Sequence, residues 1–241
     1  MNIKVTISYD GSKFNGFQRQ NSGVKTVANK LENILKSLKI DTTINASGRT
    51  DSGVHASRQV LNFFIPEFWS DIKKLKYMIN QKALPDICVE EISEVDESFH
   101  ARYSAKRRVY RYVVSSCKPS VFMSNYVKFV DSIDEKAIKS AIKIFEGSYD
   151  FRYFMKSKSD VKSTTREIYS AKFYRYKEFY IFSFEANGYL RSQIRMMVDF
   201  LLKISDGKFS EKELYEQLCC VKRYSTDIVE PNGLYLSRIK Y

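Results

Sequence analysis

The pattern of apolar and polar residues changes period several times along the chain, and each change marks a predicted element. Alternation from Ile3 to Tyr9 predicts a strand that ends at the turn residues Asp10 and Gly11. Apolar residues then recur at helical spacing and predict an amphipathic helix over about residues 25–39. The same periodicities predict short strands at 42–47, 59–65 and 87–95, and a second helix at 70–82 with Ser70 as its N-cap.

The second half of the chain repeats this order of elements. A strand at 107–115 precedes a helix at 134–145, and strands at 166–176 and 179–185 form a hairpin. A helix at 188–204, a short helix at 211–220 and a strand at 234–241 follow. Each half therefore approximates the β-α-β-β-α-β order of ferredoxin-like folds.

This order predicts an α+β protein with mainly antiparallel sheets flanked by helices. Its 241 residues are enough for two halves, each with a core of its own. We predict an N-terminal half at 1–105, a basic C-terminal half at 106–241, and a functional cleft between them.

Positive charge is concentrated in the second half. The chain has 40 Lys and Arg against 28 Asp and Glu, a net charge of +12. Residues 1–98 carry 13 cations against 12 acids, whereas residues 99–241 carry 27 against 16. This asymmetry favours a surface for a polyanion such as nucleic acid, although charge alone fits a lysine-rich solvated face equally.

Aromatic residues are interleaved with these cations in two segments, Arg102 to Arg111 and Arg152 to Lys177. The rings include Tyr103 and Tyr110 in the first segment, with Tyr112 directly after it, and Tyr153, Phe154, Phe173, Tyr174 and Tyr176 in the second. Cations that bind phosphate beside rings that stack on bases are the combination that looped or single-stranded RNA requires.

Composition argues against several classes of protein. No apolar run approaches the roughly 20 residues of a membrane span, and the opening Met-Asn-Ile-Lys-Val is predicted to be a strand rather than a signal peptide. The four cysteines have no C-x-x-C spacing and are expected to be reduced, cytoplasmic thiols. With two histidines and no H-E-x-x-H, we expect no metal. The sequence lacks the zinc ligands that a zinc-dependent base deaminase requires.

One loop carries a candidate nucleophile. In Gly-Arg-Thr-Asp-Ser-Gly-Val-His-Ala, residues 48–56, Asp51 lies two residues after Arg49, which favours the ionised carboxylate. Gly53 can adopt backbone angles that present the acid to a cleft, a geometry that suits a carboxylate nucleophile. The same residues also fit an ordinary turn with a surface ion pair.

The segment from Tyr9 to Gln20 has two glycines, two cations and two phenylalanines. It fits a loop that contacts RNA, and it fits equally a connector in which Phe14 and Phe17 pack inward.

Tyr110 and Arg195 are candidate partners of the acid. A tyrosine at a cleft can stack on a base and exchange a proton through its hydroxyl, but a tyrosine on a strand can also simply pack. His100, likewise, could simply be a packed histidine with one hydrogen-bond partner. Arg195 follows Arg191 by one helical turn, and pairing with Asp51 across a cleft would keep the acid ionised. A solvated arginine pair is the alternative.

Taken together, these segments resemble the TruA family of tRNA pseudouridine synthases nearly from end to end. The resemblance rests on Tyr-Asp-Gly-x-x-Phe-x-Gly-Phe-Gln at residues 9–18, on the Asp51 segment, and on Phe-His-Ala-Arg-Tyr-Ser-Ala at residues 99–105. It continues through Tyr110, residues 145–151, the helix that carries Arg195, and Pro-x-Gly-Leu-Tyr-Leu at residues 231–236. Three positions depart from the family pattern: Phe17 stands for tryptophan, Tyr149 for histidine, and Met196–Asp199 for Asn-Ile-Val-Gly.

The resemblance implies a pseudouridine synthase fold and isomerisation of uridine to pseudouridine at positions 38, 39 or 40 of the tRNA anticodon stem-loop. It implies no cofactor, a homodimer, and a tRNA that lies across both subunits. Asp51 would be the nucleophile, Arg195 its charge partner, Tyr110 the residue that stacks on the uridine, and Arg49 a contact to phosphate or to the flipping base. The alternative is a non-catalytic protein that binds tRNA or another RNA.

Overall fold

The computed structural model describes residues 1–20, 23–156 and 161–241, and in these it forms ten strands and five α-helices. This confirms the predicted α+β class. The chain divides into two compact units, one of Met1–Lys106 with Tyr235–Tyr241 and one of Arg107–Leu234. Part of the basic segment from Arg152 to Lys177, residues 157–160, lies outside the described residues. Within the described ranges, no helix is both long and apolar enough to cross a membrane.

Unit 1 has the ferredoxin-like order of elements. Its elements are β1 (Asn2–Tyr9), α1 (Val27–Ser37), β2 (Asn45–Ala46), β3 (His55–Phe64), α2 (Ile72–Ala83) and β4 (Ile87–Glu94). The strand order is β4-β1-β3, and β2 pairs with the edge of β3 that faces away from β1. All of these pairings are antiparallel. The last strand, β10 (Leu234–Lys240), pairs in parallel with β3 at His55 and Ala56.

The core of unit 1 lies between the sheet and the apolar faces of the two helices. Leu31 and Leu35 of α1 and Ile79 of α2 surround the same small space as Val5 and Leu61 of the sheet. The Thr26 hydroxyl caps α1 by accepting from the Asn29 amide. The prediction that Ser70 caps α2 is wrong, because the Asp71 carboxylate accepts from the Lys74 amide and the helix begins one residue later.

Unit 2 contains a further, mainly antiparallel set of strands. Its elements are β5 (Arg107–Ser115), β6 (Lys128–Phe129), α3 (Glu135–Ala141), β7 (Gly147–Asp150), β8 (Thr165–Tyr176), β9 (Phe179–Ala186), α4 (Gln193–Ser205) and α5 (Glu211–Leu218). The strand order is β5-β9-β8-β7, and β6 adds to β5 in parallel. The predicted helix at 188–204 begins only at Gln193, because Ser192 adopts a left-handed conformation with φ +61°.

The aromatic residues of unit 2 mostly form its core rather than a surface. Tyr112, Phe182 and Phe184 are fully buried, and Phe184 packs edge-on to Phe145 with ring centroids 6.3 Å apart. Phe154 packs on Phe200 of α4. The expectation that Tyr112, Phe154 and Phe173 stack on RNA is therefore wrong, because all three rings are buried. Tyr112 and Phe173 both pair with Phe182 and share its buried side of the sheet, and Phe154 lies in a short 3-10 helix.

The chain terminus groups with unit 1, whereas the sequence placed it in the C-terminal half. Three contacts account for this difference. The Tyr235 ring stacks on His55 at 4.8 Å, the Tyr241 hydroxyl donates to the Ala101 carbonyl at 3.0 Å, and the Lys106 amide donates to the Lys240 carbonyl at 2.9 Å. The predicted cleft between the halves stays a prediction.

A buried amide network fixes the segment that follows β4. Asn62 donates to the Asn2 side chain at 3.0 Å and to the Phe99 carbonyl at 3.2 Å, and accepts from the Ala101 amide at 2.8 Å. Each of these groups would lose a buried hydrogen bond if Asn62 were truncated.

We therefore expect Asn62→Ala to lower the free energy of unfolding by about 3 kcal/mol. Denaturant unfolding of the wild type and variant measures this loss. Asn33→Ala, at an exposed position of α1, is the matched control and is expected to change stability by less than about 0.5 kcal/mol. Equal stability of the two variants would contradict the role of the network.

Candidate active site

The loop that carries Asp51 packs directly on the loop that follows β1. The Phe17 amide donates to the Thr50 carbonyl at 3.1 Å, and the Gly53 amide donates to the Phe14 carbonyl at 3.4 Å. Phe14 and Phe17 are each only 4% exposed. The structure therefore supports the connector interpretation of residues 9–20, and two segments predicted separately form one substructure.

Two glycines allow this close approach. A Cβ atom at Gly11 would lie 2.1 Å from the Val54 carbonyl oxygen, well inside any possible contact. Gly16 has φ +91°, and a Cβ atom there would lie 3.1 Å from the Thr50 carbonyl oxygen. Because both obstacles are backbone atoms, they cannot move aside without displacing the Asp51 loop.

The loop is held on both sides of Asp51. The Thr50 hydroxyl shares a buried hydrogen bond of 2.8 Å with the Tyr9 hydroxyl. The Gln59 side chain donates to the Gly48 carbonyl at 2.7 Å, and the Val54 amide donates to the Asp51 carbonyl at 3.2 Å. Asp51 itself is half-buried on this fixed loop, while Arg49 is exposed.

His55, in the same segment, has a structural contact. Its Nδ1 atom accepts a hydrogen bond from the Gly11 amide at 3.0 Å, so Nδ1 carries no proton and neutral His55 has its proton on Nε2. Its ring lies buried against Tyr235. His100 is structural too, because its Nδ1 accepts from the Arg102 amide at 3.1 Å and closes a local turn.

In unit 2, Tyr110 lies on β5 and is 8% exposed. Its ring packs edge-on to Tyr189, with centroids 5.3 Å apart. The Tyr189 hydroxyl is buried and has no hydrogen-bond partner among the described residues. Burial raises the pKa of Tyr189 well above its usual value, so this hydroxyl stays protonated. Tyr189 belongs to a motif that resembles the family's third motif, but no contact between Tyr189 and Tyr110 was predicted from the sequence.

Arg195 lies on α4 and is fixed by the segment after α5. Its Nε donates to the Val229 carbonyl at 2.7 Å. Two turns further along α4, the Lys203 ammonium donates to the Ser225 hydroxyl at 3.0 Å and pairs with Asp227. The segment that contacts Arg195 is thus itself held by the same helix.

Asp199 completes this attachment. Its carboxylate lies 2.8 Å from the Lys203 ammonium. Burial raises the pKa of Asp199, although Lys203 opposes this shift. The family pattern has glycine here, so this departure adds an ion pair to the attachment. Arg191 precedes α4 and is exposed, so the predicted Arg191–Arg195 pair on one helix is wrong.

The other two departures are packing positions. Phe17 lies 6.3 Å from the Tyr9 ring, in the core under the Asp51 loop. Tyr149, on β7, packs edge-on to Phe151 at 6.4 Å. Neither departure introduces a charge at the candidate site.

The structure brings Asp51 and Arg49 together on one loop of unit 1. Tyr110 and Arg195 lie in unit 2, and the roles of all four residues stay predictions. Among the residues that the structure describes, no group of three or more His, Cys, Asp or Glu side chains could hold a metal ion.

Comparison with known proteins identifies the family. A family model described as tRNA pseudouridine synthase matches residues 5–104 and 141–241. Proteins named tRNA pseudouridine synthase A are similar over almost the whole chain. The protein from Campylobacter jejuni is 41% identical over 100% of both chains, and that from Wolinella succinogenes is 41% identical over 98% of this chain and 92% of its own. A relative from Geobacillus is 35% identical over 99% and 98%.

The chain therefore belongs to the tRNA pseudouridine synthase family, the isomerases that convert uridine in tRNA into pseudouridine. The resemblance to the TruA family found in the sequence is confirmed. Tyr110 lies between the two ranges that the family model matches. A solved Cbf5-Nop10-Gar1 complex is similar over 81% of this chain and 43% of that chain, with 15% identity and a TM-score of 0.37, too low to add to the assignment.

The contact at Gly11 predicts a sharp sensitivity to substitution. We expect Gly11→Ala to displace the Asp51 loop, to lower stability by about 1–3 kcal/mol and to reduce pseudouridine formation. Gly188→Ala is the matched control, because its Cβ atom would meet only the Arg166 side chain at an ordinary 3.7 Å. Thermal unfolding and turnover are measured for both variants. A Gly11→Ala protein as stable and active as Gly188→Ala would contradict the proposed contact.

Proposed function

We propose that this protein isomerises uridine to pseudouridine at position 38, 39 or 40 of the tRNA anticodon stem-loop, with Asp51 as the nucleophile. The observation that carries the proposal is the placement of Asp51 on a half-buried loop whose flanking residues are hydrogen-bonded on both sides. Fixed backbone around a single acid suits a group that must meet one atom of a substrate. Full-length similarity to proteins named tRNA pseudouridine synthase A supports the choice of RNA.

The reaction exchanges one glycosidic bond for another. The bond from N1 of uracil to C1′ of the ribose breaks, the base rotates, and a bond forms from C5 to C1′. The proton on C5 is lost and N1 gains a proton, so the reaction is balanced without a cofactor. The Asp51 carboxylate would attack either C1′ of the sugar or C6 of the base, and both routes remain open.

The substrate uridine must leave its stack to meet the acid. We propose that Arg49, which is exposed beside Asp51, contacts a phosphate or occupies the space that the base leaves. Arg195 would pair with Asp51 and keep it ionised, since an unpaired carboxylate in a dry site tends to protonate. The hydrogen bond from Arg195 Nε to the Val229 carbonyl limits the positions that the guanidinium can adopt.

Tyr110 would contact the flipped uracil and move the C5 proton. Because little of its ring is exposed, the base can meet only a limited part of it. The rigid packing against Tyr189 then fixes the position of the phenol. We also propose that the enzyme acts as a homodimer in the cytoplasm, with one tRNA across both subunits.

Asp51→Asn tests the nucleophile. The variant keeps the shape of the side chain but removes its charge, so we expect pseudouridine formation to fall by more than about 1000-fold while tRNA affinity is largely kept. Pseudouridine mapping of transcribed tRNA reads the product at each position. Asp41→Asn, an exposed acid of the same unit, is the control and should retain activity. Turnover by Asp51→Asn would remove the assignment.

Tyr110→Phe separates packing from proton transfer. The ring contact with Tyr189 is kept, whereas the hydroxyl is lost, so we expect kcat to fall by about 100-fold or more with little change in KM. Rates near the wild type would restrict Tyr110 to packing and stacking.

A non-catalytic RNA-binding protein is the second candidate. The basic second half favours it, but it gives no reason for an acid on a rigid loop. Tight tRNA binding with no pseudouridine formed by the wild-type protein would select this alternative.

A further inference from the structure

Among the described residues, one face of the unit 2 sheet is packed on helices, and several side chains of the other face are exposed. On β9, the fully buried Phe182 and Phe184 face the side of Phe145. The intervening residues of β9 and their neighbours on β5 and β8 therefore face the opposite side, because side chains alternate along a strand. Arg111 and Lys172, which belong to this set, are exposed.

The strand register aligns the residues of this side in rows. Arg111 on β5 and Lys172 on β8 both pair with Ser183 of β9, so the two cations flank a small polar residue. In the next row, Ile181 lies between Val113 and Tyr174. Two strand spacings separate the flanking residues, or about 10 Å.

A third feature lies at the beginning of β5. The Arg107 guanidinium lies over the Tyr169 ring, 4.3 Å from its centroid, and pairs with Glu185 at 3.0 Å. Tyr169 and Tyr174 are 38% and 37% exposed. Neither Arg111 nor Lys172 forms an ion pair within the described residues, so both charges are available. Cations and exposed rings thus share one open sheet face, here called the outer face and defined by Arg107, Arg111, Tyr169, Lys172 and Tyr174.

We propose that the outer face is a second RNA-binding surface, which holds a looped or single-stranded part of the RNA substrate other than the reacting uridine. This proposal rests on the proposed function, because the RNA is taken to be the tRNA substrate. Arg111 and Lys172 contact phosphates, and Tyr174 and Tyr169 offer ring surface on which bases stack, since stacking on aromatic side chains accepts any base.

Charge favours RNA over a second copy of the chain as the occupant. The face also has the half-buried Val113, which could pack on another protein, whereas Ile181 is already buried within the chain. Two copies that met through this face would bring Arg111 and Lys172 of one close to those of the other, and like charges in an interface are costly. A polyanion has no such penalty.

The charge part of the proposal is tested with Arg111→Ala/Lys172→Ala. The control is Lys73→Ala/Lys74→Ala, which removes the same charge from two exposed positions of α2 in unit 1. Filter binding of transcribed tRNA from 50 to 300 mM salt gives the affinity and its salt slope. We expect Arg111→Ala/Lys172→Ala to bind tRNA about tenfold more weakly than the wild type. The slope of log affinity against log salt concentration should fall in magnitude by about 1–2, whereas the control should keep the affinity and the slope of the wild type. Equal affinities and slopes for the two variants would overturn the proposal.

The ring part is tested with Tyr174→Ala and Tyr174→Phe. We expect about tenfold weaker binding for Ala and rescue by Phe, because stacking needs the ring and not the hydroxyl. Tyr215→Ala, an exposed tyrosine of α5, is the matched control and should bind as the wild type does. Unfolding curves check that each variant is folded. Wild-type affinity of Tyr174→Ala would exclude the ring from RNA binding.

Two readouts separate this surface from the proposed function and from self-association. Outer-face variants should act on KM more than on kcat, whereas Asp51→Asn loses turnover and keeps affinity. If the wild type binds tRNA and forms no pseudouridine, the proposed function is wrong. The binding measurements would still decide whether the outer face binds RNA. A change of oligomeric state in gel filtration with RNA affinity kept would show that the face joins two copies, and would overturn the proposal.

Discussion

The close approach of two backbone segments at Gly11 is the constraint on which the candidate site depends. With no side chain at this position, the turn after β1 lies against the Val54 carbonyl, and its amide reaches Nδ1 of His55. The same approach lets the Phe17 amide bond to the Thr50 carbonyl. Because these are backbone contacts, they fix the Asp51 loop more rigidly than flexible side chains could.

Most residues of the segment 48–56 serve this rigidity rather than the chemistry. Gly48 and Thr50 receive hydrogen bonds from elsewhere in unit 1, and His55 stacks on Tyr235 of the terminal strand. The end of the chain is thereby tied to the loop that carries the acid. These contacts account for the structural part of the segment. In the proposed function, the fixed backbone holds the Asp51 carboxylate in one position, with the exposed Arg49 beside it.

The sequence predicted the longer strands, the hairpin at 177–178 and the α+β class, because period-two alternation and turn residues are local signals. It did not predict the short strands β6 and β7. It did not predict the start of α4, where the left-handed Ser192 interrupts a pattern that looks helical throughout. Nor did it separate Tyr112 from Tyr174, since both stand beside cations in strands. Tertiary packing decides which side of a sheet the helices cover. Tyr112 lies on the covered side and is buried, whereas Tyr174 lies on the other side and is exposed.

Tyr189 carries a buried polar group that folding alone does not favour. A buried hydroxyl without a partner costs free energy, so folding alone would favour phenylalanine there. Its ring fixes Tyr110, and its protonated hydroxyl remains a donor with capacity unused. On α4, by contrast, Arg195 donates to the Val229 carbonyl, and Lys203 lies between the carboxylates of Asp199 and Asp227. Arg195 is thus held by its neighbours, whereas the Tyr189 hydroxyl has an unused hydrogen-bond donor. This combination is expected at a site that binds a polar substrate.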